Sequence, residues 1–418
     1  MSKFKKDRFV KNRLSIYLSY IVGFISILVL TILRPFKKIL FVRVKVRNFG
    51  MFFDSYTSYI VNDEVEKFKD PKTVHILYYD SDNICNSYLD SLYKKRFKIY
   101  KHNYIIFSID RFLSQFKLKK FTLQITPILS LQKKFYVKEK HFNKLGLHYE
   151  NKIKFSNEDL KKAEKFLQSY GISMTDKWVC IHNRDKFYKN RFEPFPVENT
   201  VHGYRNFQIQ TMKKAANYFE SMGYYVFRVG FEQEHEIDFS SKKIIDYSFS
   251  KKRDPFIDIF LISSCELYFG SNSGVCSPAI NFKRPLVHIN YPPTNLNISS
   301  DYLTLPSIMK KIECLKTGKL ISFKEMYESK IMGVYDDGHI KSLGYKHIDN
   351  SENEILQIAK ETLENNISSN NDIKEDDLTR EYNKITAYYN NKILGENFLK
   401  VPLKLGKSFL NENKYLIS

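Results

Sequence analysis

The sequence contains few cysteines, and the signatures of several common classes of protein are missing from it. Its 418 residues include five cysteines, an odd number scattered without a Cys-x-x-Cys pair, which argues against a disulfide framework or a zinc site. No Gly-x-Gly-x-x-Gly fingerprint is present, so the usual Rossmann dinucleotide site is not expected. No signature of a DNA- or RNA-recognition module is found either. The chain is therefore predicted to belong to a reducing cytoplasm and to have no nucleic-acid partner.

Acidic residues are scarce in two stretches of the amino-terminal third, where the positive charge is concentrated. Residues 1–50 contain 12 Lys or Arg against one Asp or Glu, and residues 91–145 contain 14 against two. Residues 51–90 have a net charge of −5, so the chain after Leu145 carries only +3 of the total of +21. Such a basic region favours an anionic membrane surface or an anionic acceptor as partner. A lysine-rich composition that merely keeps the protein soluble is the alternative.

One long apolar run is present, from Leu14 to Leu33, and it contains no charged residue. It is long enough to cross a bilayer. Six Lys or Arg precede it and six follow it before Asn48, so the positive-inside rule assigns no orientation. Residues 1–38 are therefore predicted to be a basic, apolar membrane-associating segment, either a transmembrane span or an interfacial or re-entrant anchor. This segment would hold the protein at the cytoplasmic face of the inner membrane.

Strands alternate with helices after the apolar run, in the pattern typical of βα units on a parallel sheet. The first domain is predicted over residues 39–150. Its predicted strands are Ile39 to Val46, Thr73 to Tyr79 and Tyr104 to Ile109, and its predicted helices are Met51 to Val61 and Asn86 to Tyr93.

The second domain is predicted over residues 151–350 and begins with a helix that Ser156 can cap and Gly171 can end. Its predicted strands are Trp178 to His182, Tyr224 to Val229, Lys243 to Ile245, Glu266 to Phe269 and Leu286 to Ile289, and its further helices are Ile209 to Met222, Asp254 to Ser264 and Val275 to Phe282. Residues 351–418 are predicted to be a C-terminal helical extension, in which Asn365 to Asp377 is a polar, acidic linker or surface loop and Leu378 to Ser418 is helical. The expected fold class is α/β, with two Rossmann-like βα domains that face each other across a cleft.

Polar residues follow the strand Trp178 to His182 at the position where α/β proteins place their chemistry. The guanidinium of Arg184 can form two parallel bonds to diphosphate oxygens and stays charged at any working pH. An arginine at a strand end can equally pair with a nearby carboxylate, and Asp185 is adjacent. His182 is a candidate acid or base in the same segment.

A second anion-binding feature is predicted where Gly270-Ser271-Asn272-Ser273-Gly274 opens a helix. Free backbone N–H groups at a helix start favour an anion, although Ser and Asn are also ordinary helix caps. Together with Arg184, this segment forms a bipartite site suited to a diphosphate. Neither feature is followed by carboxylates at metal-binding spacing, so no metal and no other cofactor is expected.

Other polar residues at predicted strand ends and in the long loop after Arg184 are further candidates. Arg228 ends a strand two residues before Gly230, where the backbone can approach a ligand. Arg205 precedes a helix that Asn206 can cap. The residues with a possible role in proton transfer are His202, Glu193, Asp246 and Asp258.

The order of these motifs resembles a family of bacterial glycosyltransferases associated with surface polysaccharide synthesis. The segments that carry the resemblance are Cys180 to Asp185, Tyr204 to Asn206, Phe227 to Gly230, Asp246-Tyr247 and the span from Asp258 to Gly274. The His-x-Arg strand end and the Ser-rich helix start are more distantly similar to the fucosyltransferases with a GT-B-like fold. Relatives commonly carry Arg-x-Gly-His after the first strand, where this chain has Arg47-Asn48-Phe49-Gly50.

The resemblance implies a GT-B-like enzyme with an acceptor-side N-terminal domain and a nucleotide-sugar site in the C-terminal domain. It also implies a metal-independent transferase in which arginine replaces the cation. The resemblance implies that Arg184 takes the diphosphate, that Ser271, Ser273 and Gly274 hold its other side, and that Arg228 and Tyr247 lie near the nucleotide. With the candidates named above, the predicted catalytic residues are Arg184, Asp185 and His182, and the predicted donor-binding residues are Arg205, Arg228, Gly230, Tyr247, Ser271, Asn272, Ser273 and Gly274.

The leading hypothesis is transfer of a sugar from a nucleotide donor to a glycan or lipid-linked acceptor, with the basic first domain attracting an anionic acceptor. A nucleotide-sugar epimerase or hydrolase of similar architecture is one alternative. A non-catalytic, membrane-associated scaffold is the other. Replacing Arg184 separates the enzymes from the scaffold, and dependence on an added acceptor separates the transferase from the epimerase.

Overall fold

The structure is a computed structural model that describes residues 13–123, 153–187, 203–231, 233–294, 305–365, 376–394 and 403–417. The chain divides into two compact units, unit 1 and unit 2, which meet in the sequence between Lys154 and Phe155. Each unit contains a parallel sheet whose strands are joined through helices. The predicted α/β class with two βα units is therefore confirmed.

Unit 1 combines a long apolar helix with a small parallel sheet. Its elements are α1 (Arg13–Leu33), β1 (Lys38–Val44), α2 (Phe49–Lys69), β2 (Thr73–Tyr79), α3 (Ser87–Arg96), β3 (Ile99–Tyr100) and α4 (Tyr104–Gln115). The strands pair in the order β1-β2-β3, and the register sets Val44 opposite Tyr79. The carboxyl ends of β1 and β2 are therefore level. Within α1, Leu14–Leu33 is long and apolar enough to cross a membrane by length and composition, with a mean hydropathy of 2.4.

The segment Tyr104 to Ile109 is helical, and the strand predicted there is wrong. Asn103 caps the helix α4, because its side chain accepts a hydrogen bond from the N–H of Ile106. Ile106, Ile109 and Leu113 recur at helical spacing and pack on apolar side chains of β1 and β2. A short apolar run does not distinguish strand from helix by itself. The capping asparagine was the local signal for a helix.

Unit 2 contains a five-stranded, fully parallel sheet and a small antiparallel pair. Its strands are β4 (Trp178–His182), β5 (Tyr225–Arg228), β6 (Ile244–Asp246), β7 (Leu267–Gly270), β8 (Leu286–His288), β9 (Lys311–Cys314) and β10 (Tyr345–Ile348). Its helices are α5 (Asn157–Gln168), α6 (Lys213–Ser221), α7 (Pro255–Ser263), α8 (Ser277–Asn281), α9 (Phe323–Glu328), α10 (Asp337–Ser342), α11 (Glu352–Glu364), α12 (Asp377–Leu394) and α13 (Lys407–Glu412).

The order of the five strands makes unit 2 a doubly wound sheet. The strands pair as β6-β5-β4-β7-β8, so the first strand in the chain, β4, is central. The chain adds β5 and β6 on one side of β4 and then crosses over to add β7 and β8 on the other. Such a reversal creates a crevice at the carboxyl ends of the two strands that flank it, here β4 and β7, and open α/β sheets bind ligands there.

Local sequence explains why these elements form where they do. All five residues of β4 are buried, as expected for the central strand of a parallel sheet. Ser156 and Asp159 form a reciprocal capping box at the start of α5. Asp254 caps α7, with Pro255 at its first position.

The C-terminal helices are part of the core of unit 2. Ile355 and Ile358 of α11, Tyr382 of α12 and Phe409 of α13 belong to the same buried cluster as the side chains of β4, β5, β7 and β8. The three helices therefore contribute side chains to the same core as the sheet.

Candidate functional site

The candidate site lies where β4 and β7 end side by side. His182 is paired with Gly270 across the two strands, and the N–H of Ser271 donates to the His182 carbonyl at 2.9 Å. A Cβ atom at Gly270 would collide with the backbone of His182, so this close approach requires glycine. The residues after His182 and the residues after Gly270 therefore leave the sheet next to each other, at the reversal of the strand order.

Two arginines are held together at this edge. Arg184 Nη1 donates to the side-chain oxygen of Asn206, and Arg205 Nη1 donates to the backbone oxygen of Asn272 at 3.4 Å. Burial, followed by the positive charge of Arg205, lowers the pKa of Arg184 to about 10. Like charges this close disfavour one another. The pair therefore forms a positive site that an anion would stabilise.

Arg205 packs against an aromatic side chain, which in turn stacks on a histidine. Its guanidinium carbon lies 5.7 Å from the ring centre of Tyr204, and the Tyr204 ring stacks on His347 with ring centres 6.0 Å apart. The Nε atom of Arg205 is buried and has no hydrogen-bond partner among the described residues. A buried donor of this kind is costly unless a bound group accepts from it.

The segment after β7 supplies a second set of polar groups. The side chain of Ser271 is 1% exposed, and its Oγ has no hydrogen-bond partner within the described parts of the chain. Ser273 caps a 3-10 turn, Gly274–Cys276, which continues into α8. Asn272 lies between these two serines and contacts Arg205. The structure therefore brings Arg184, Arg205 and the Ser271–Gly274 segment together.

Arg228, predicted to contact the donor, lies in a buried network of its own. Its side chain is 1% exposed and makes an ion pair with Asp246 at 3.0 Å. It also donates to the His235 carbonyl at 2.6 Å and to Asn183 Oδ1 at 3.3 Å. These contacts tie the loop after β5 to the ends of β4 and β6. They are the contacts of a support for the site, and the donor-binding role of Arg228 stays a prediction.

The side chains of His182 and Asp185 form hydrogen bonds with backbone groups of neighbouring loops. His182 is 2% exposed, and its Nδ1 donates to the Val229 carbonyl at 2.8 Å. Burial lowers the pKa of His182 to about 3, so the ring is neutral at physiological pH. Asp185 accepts from the N–H groups of Phe187 and Glu234 at 2.9 and 2.8 Å, while burial raises its pKa. These arrangements favour positioning over proton transfer.

Gly230 and Tyr247 shape the neighbouring strand ends. Gly230 has a φ of +140°, a conformation that favours glycine, and a Cβ there would lie 3.1 Å from His182 Nδ1. The Tyr247 side chain is fully buried and exchanges hydrogen bonds with the backbone of Asp254. Tyr247 therefore lies in the core of unit 2, and its donor-binding role stays a prediction.

The other proton-transfer candidates are placed as follows. Asp246 pairs with Arg228, and Asp258 pairs with Arg253 at 2.7 Å. His202 and Glu193 lie outside the described residues. The sequence interpretation overlooked one Asp-x-Asp, Asp80-Ser81-Asp82, which follows β2 in unit 1.

Asn206 is a site residue that the sequence analysis did not identify as one. Asn206, predicted as a helix cap, instead holds the guanidinium of Arg184 with its side chain, and its carbonyl accepts from Lys310 Nζ at 2.6 Å. The sequence signal for it was the run Tyr204-Arg205-Asn206 itself, an arginine and an amide next to each other in a polar loop.

Comparisons with known proteins give distant structural similarity. No protein-family model matches the chain, and no curated protein matches it. A glycosyl transferase family 9 structure from Veillonella parvula DSM 2008 covers 78% of this chain and 97% of its own, at 15% identity and a TM-score of 0.40. The E. coli ADP-heptose LPS heptosyltransferase II covers 66% and 90%, at 12% identity and a TM-score of 0.38. At these values the similarity assigns neither a reaction nor a substrate.

Proposed function

We propose that the chain is a glycosyltransferase that moves a sugar from a nucleotide-sugar donor to a glycan or lipid-linked acceptor in surface polysaccharide biosynthesis, at the cytoplasmic face of the inner membrane. One observation carries the proposal. Arg184 and Arg205 lie beside the Ser271–Gly274 segment in the crevice between β4 and β7. This is the ligand-binding position of an open α/β sheet, and its charge suits a diphosphate.

The arrangement explains how a diphosphate would be activated as a leaving group. When the acceptor oxygen bonds to the anomeric carbon, the bond from that carbon to the diphosphate oxygen breaks, and the diphosphate gains negative charge. Guanidinium groups already in place stabilise that charge without reorganisation. Arg184 would act on the diphosphate, while Arg205 and the Ser271–Gly274 segment would hold its other side. The hydroxyl group of the acceptor must also lose its proton to a base. We do not assign this role to His182, because its pKa of about 3 makes it a weak base.

The first test is binding of nucleoside diphosphates. A thermal-shift panel of ADP, GDP, UDP and CDP, followed by calorimetry of the best ligand, should identify one that binds. Arg184→Ala should weaken that binding roughly ten- to 150-fold, because a hydrogen bond to a charged group contributes about 1.5–3 kcal/mol. Arg380→Ala is the matched control, since Arg380 is an exposed arginine of α12 that pairs with Asp377. A wild-type protein that binds no nucleoside diphosphate would overturn the proposal.

A second test separates the possible activities. With the sugar nucleotide of the identified base, a transferase forms product only when an acceptor is added. An epimerase or hydrolase turns over the donor alone, and a scaffold turns over nothing while keeping its membrane binding in the Arg184→Ala variant. Turnover without acceptor at the rate seen with acceptor would contradict the transferase assignment.

A further inference from the structure

We propose that α1 docks unit 1 on an anionic lipid surface as a helix lying in the membrane interface, and that it does not cross the bilayer. This inference rests on the contacts and charges of unit 1 and is independent of the proposed reaction. The length of α1 leaves both options open, since 21 residues span about 31 Å and a hydrocarbon core is about 30 Å thick. The packing of the helix decides between them.

One face of α1 is fastened to α4 along the length of the helix. Near its start, Tyr104 Oη donates to the Ser15 carbonyl at 3.1 Å. At its middle, Gly23 lets the helices approach so closely that a Cβ there would lie 2.6 Å from Phe112 Cβ. Past its end, Arg34 Nη1 donates to the Lys120 carbonyl at 3.1 Å. The two helices therefore run side by side in the same direction, as a single element of unit 1.

The fastening makes an upright span costly, because α4 would enter the bilayer with α1. In the middle of α4, Asp110 accepts from Tyr78 Oη at 2.5 Å and pairs with Arg43 at 3.0 Å. These bonds, and the buried cluster that joins α4 to β1 and β2, fix the sheet directly against α4. A charged pair and the edge of an open sheet are both excluded from hydrocarbon. To cross the bilayer, α1 would therefore have to detach from α4 and break up the buried cluster that contains Ile27 and Leu113.

The opposite face of α1 is apolar and exposed. Its exposed apolar side chains range from 42% exposed at Leu33 to 71% at Ile32, and Phe36 beyond the helix is 77% exposed. The rings of Phe24, Phe112 and Phe116 follow one another at 6.1 and 4.5 Å, which extends this surface onto α4. A soluble monomer rarely exposes a contiguous apolar surface of this kind.

The charges around this exposed face of α1 indicate that it binds a lipid surface. No Asp or Glu occurs between Asp7 and Asp54, and Lys37, Lys117, Lys119 and Lys120 are exposed beside the ends of α1 and α4. The equal basic flanks of α1 also fit an interfacial helix, because both flanks then remain on the same side of the membrane. A span would place one of them on the side where basic residues are disfavoured. An apolar face rimmed by lysines is the pattern of interfacial helices that bind anionic lipids.

Vesicle binding tests the partner. Full-length protein should co-float with phosphatidylcholine vesicles that contain phosphatidylglycerol and bind pure phosphatidylcholine vesicles weakly. Replacing Lys117, Lys119 and Lys120 by Glu should lower binding to the anionic vesicles on the order of 100-fold or more, at about 1 kcal/mol for each lysine removed. Ile25→Asp with Val29→Asp, two exposed positions of α1, should abolish co-flotation without changing the far-UV circular dichroism. Met222→Asp, 53% exposed in unit 2, is the control and should bind like wild type.

Depth measurements test the orientation. Single substitutions Tyr17→Trp, Ile25→Trp and Ile32→Trp are quenched by brominated lipids, with the signal of Trp178 in wild-type protein subtracted. An interfacial helix puts all three at one depth, roughly 5–10 Å below the headgroup boundary. A probe at position 25 near the bilayer centre with the other two near opposite headgroups would overturn the proposal. A lipid-free dimer that binds no vesicles, seen by light scattering, would overturn it as well and assign the face to a second copy of the chain.

Discussion

The buried ion pair between Arg228 and Asp246 provides the sharpest test of how the site is supported. Arg228→Met keeps most of the apolar stem of the side chain but removes the charge and its hydrogen bonds. Among the described residues, Asp246 would then keep the N–H of Ile237, at 2.9 Å, as its one hydrogen-bond partner, while its carboxylate is 11% exposed. Removing one partner of a buried pair costs about 3–5 kcal/mol. We expect unit 2 to lose that much of its free energy of unfolding.

The measurement is urea unfolding followed by tryptophan fluorescence. Trp178 is the only tryptophan of the chain and lies in β4, with its ring centre 6.3 Å from that of Phe227, so the signal reports on unit 2. Adding Asp246→Asn to Arg228→Met should recover roughly 1–3 kcal/mol, because the unpaired charge is then gone. Arg380→Met, at an exposed pair, should change the unfolding free energy by less than about 1 kcal/mol. An Arg228→Met variant as stable as this control would refute the reasoning.

Three further predictions concern the site and its surroundings. Gly270→Ala should lower the stability of unit 2 by about 1–3 kcal/mol and abolish nucleotide binding, since a Cβ collides with the backbone of His182; unchanged calorimetry would contradict this. Ser271→Ala should leave the melting temperature equal or higher, because its buried Oγ is unpaired among the described residues, yet weaken diphosphate binding; equal affinity would show that Oγ does not face the ligand. Glu354→Gln should alter the pH dependence of stability. Burial raises the pKa of the Glu354 carboxyl group, but the hydrogen bonds that it accepts, led by the one from Lys311, outweigh burial and lower the pKa below its ordinary value of 4.5. The stabilisation from the charged carboxylate is therefore present above about pH 4.5 and is lost as the pH falls through the lower pKa of the folded state. Urea midpoints between pH 7 and 3 should therefore fall more steeply for wild type than for the variant.

Several elements of unit 2 could be predicted because their signals are local. The strand Trp178–His182 has the predicted bounds, since a run of apolar residues ends there at a polar loop. The capping box of Ser156 and the left-handed Gly171 delimit the first helix of this unit in the same way. Such signals lie within a few residues of one another and need no knowledge of the fold. The two-residue β3 has no comparable signal, because its pairing with β2 alone makes it a strand.

Contacts between strands could not be predicted, and they decide the roles of the arginines. In the sequence, Arg184 and Arg228 look alike, since each lies at or just after a strand end and has polar neighbours. The register of β5 and β6 sets Arg228 directly opposite Asp246, and this pairing gives Arg228 its buried partner. Arg184 follows β4, whose neighbour β7 ends in Gly270 and the Ser271–Gly274 segment. The strand order therefore separates an arginine that supports the fold from one that lies beside a second arginine.

The arginine pair is the strongest indication that this edge of the sheet binds an anion, because the folded chain by itself gains little from it. Burial disfavours the positive charge of Arg184, and the repulsion from Arg205 adds to this cost, as the lowered pKa of Arg184 shows. The carboxylates of Asp185 and Asp337 offset only part of it, because the pKa of Arg184 stays below its ordinary value. Such a conflict between burial and charge is expected at a functional site. A diphosphate supplies the negative charge that would resolve it.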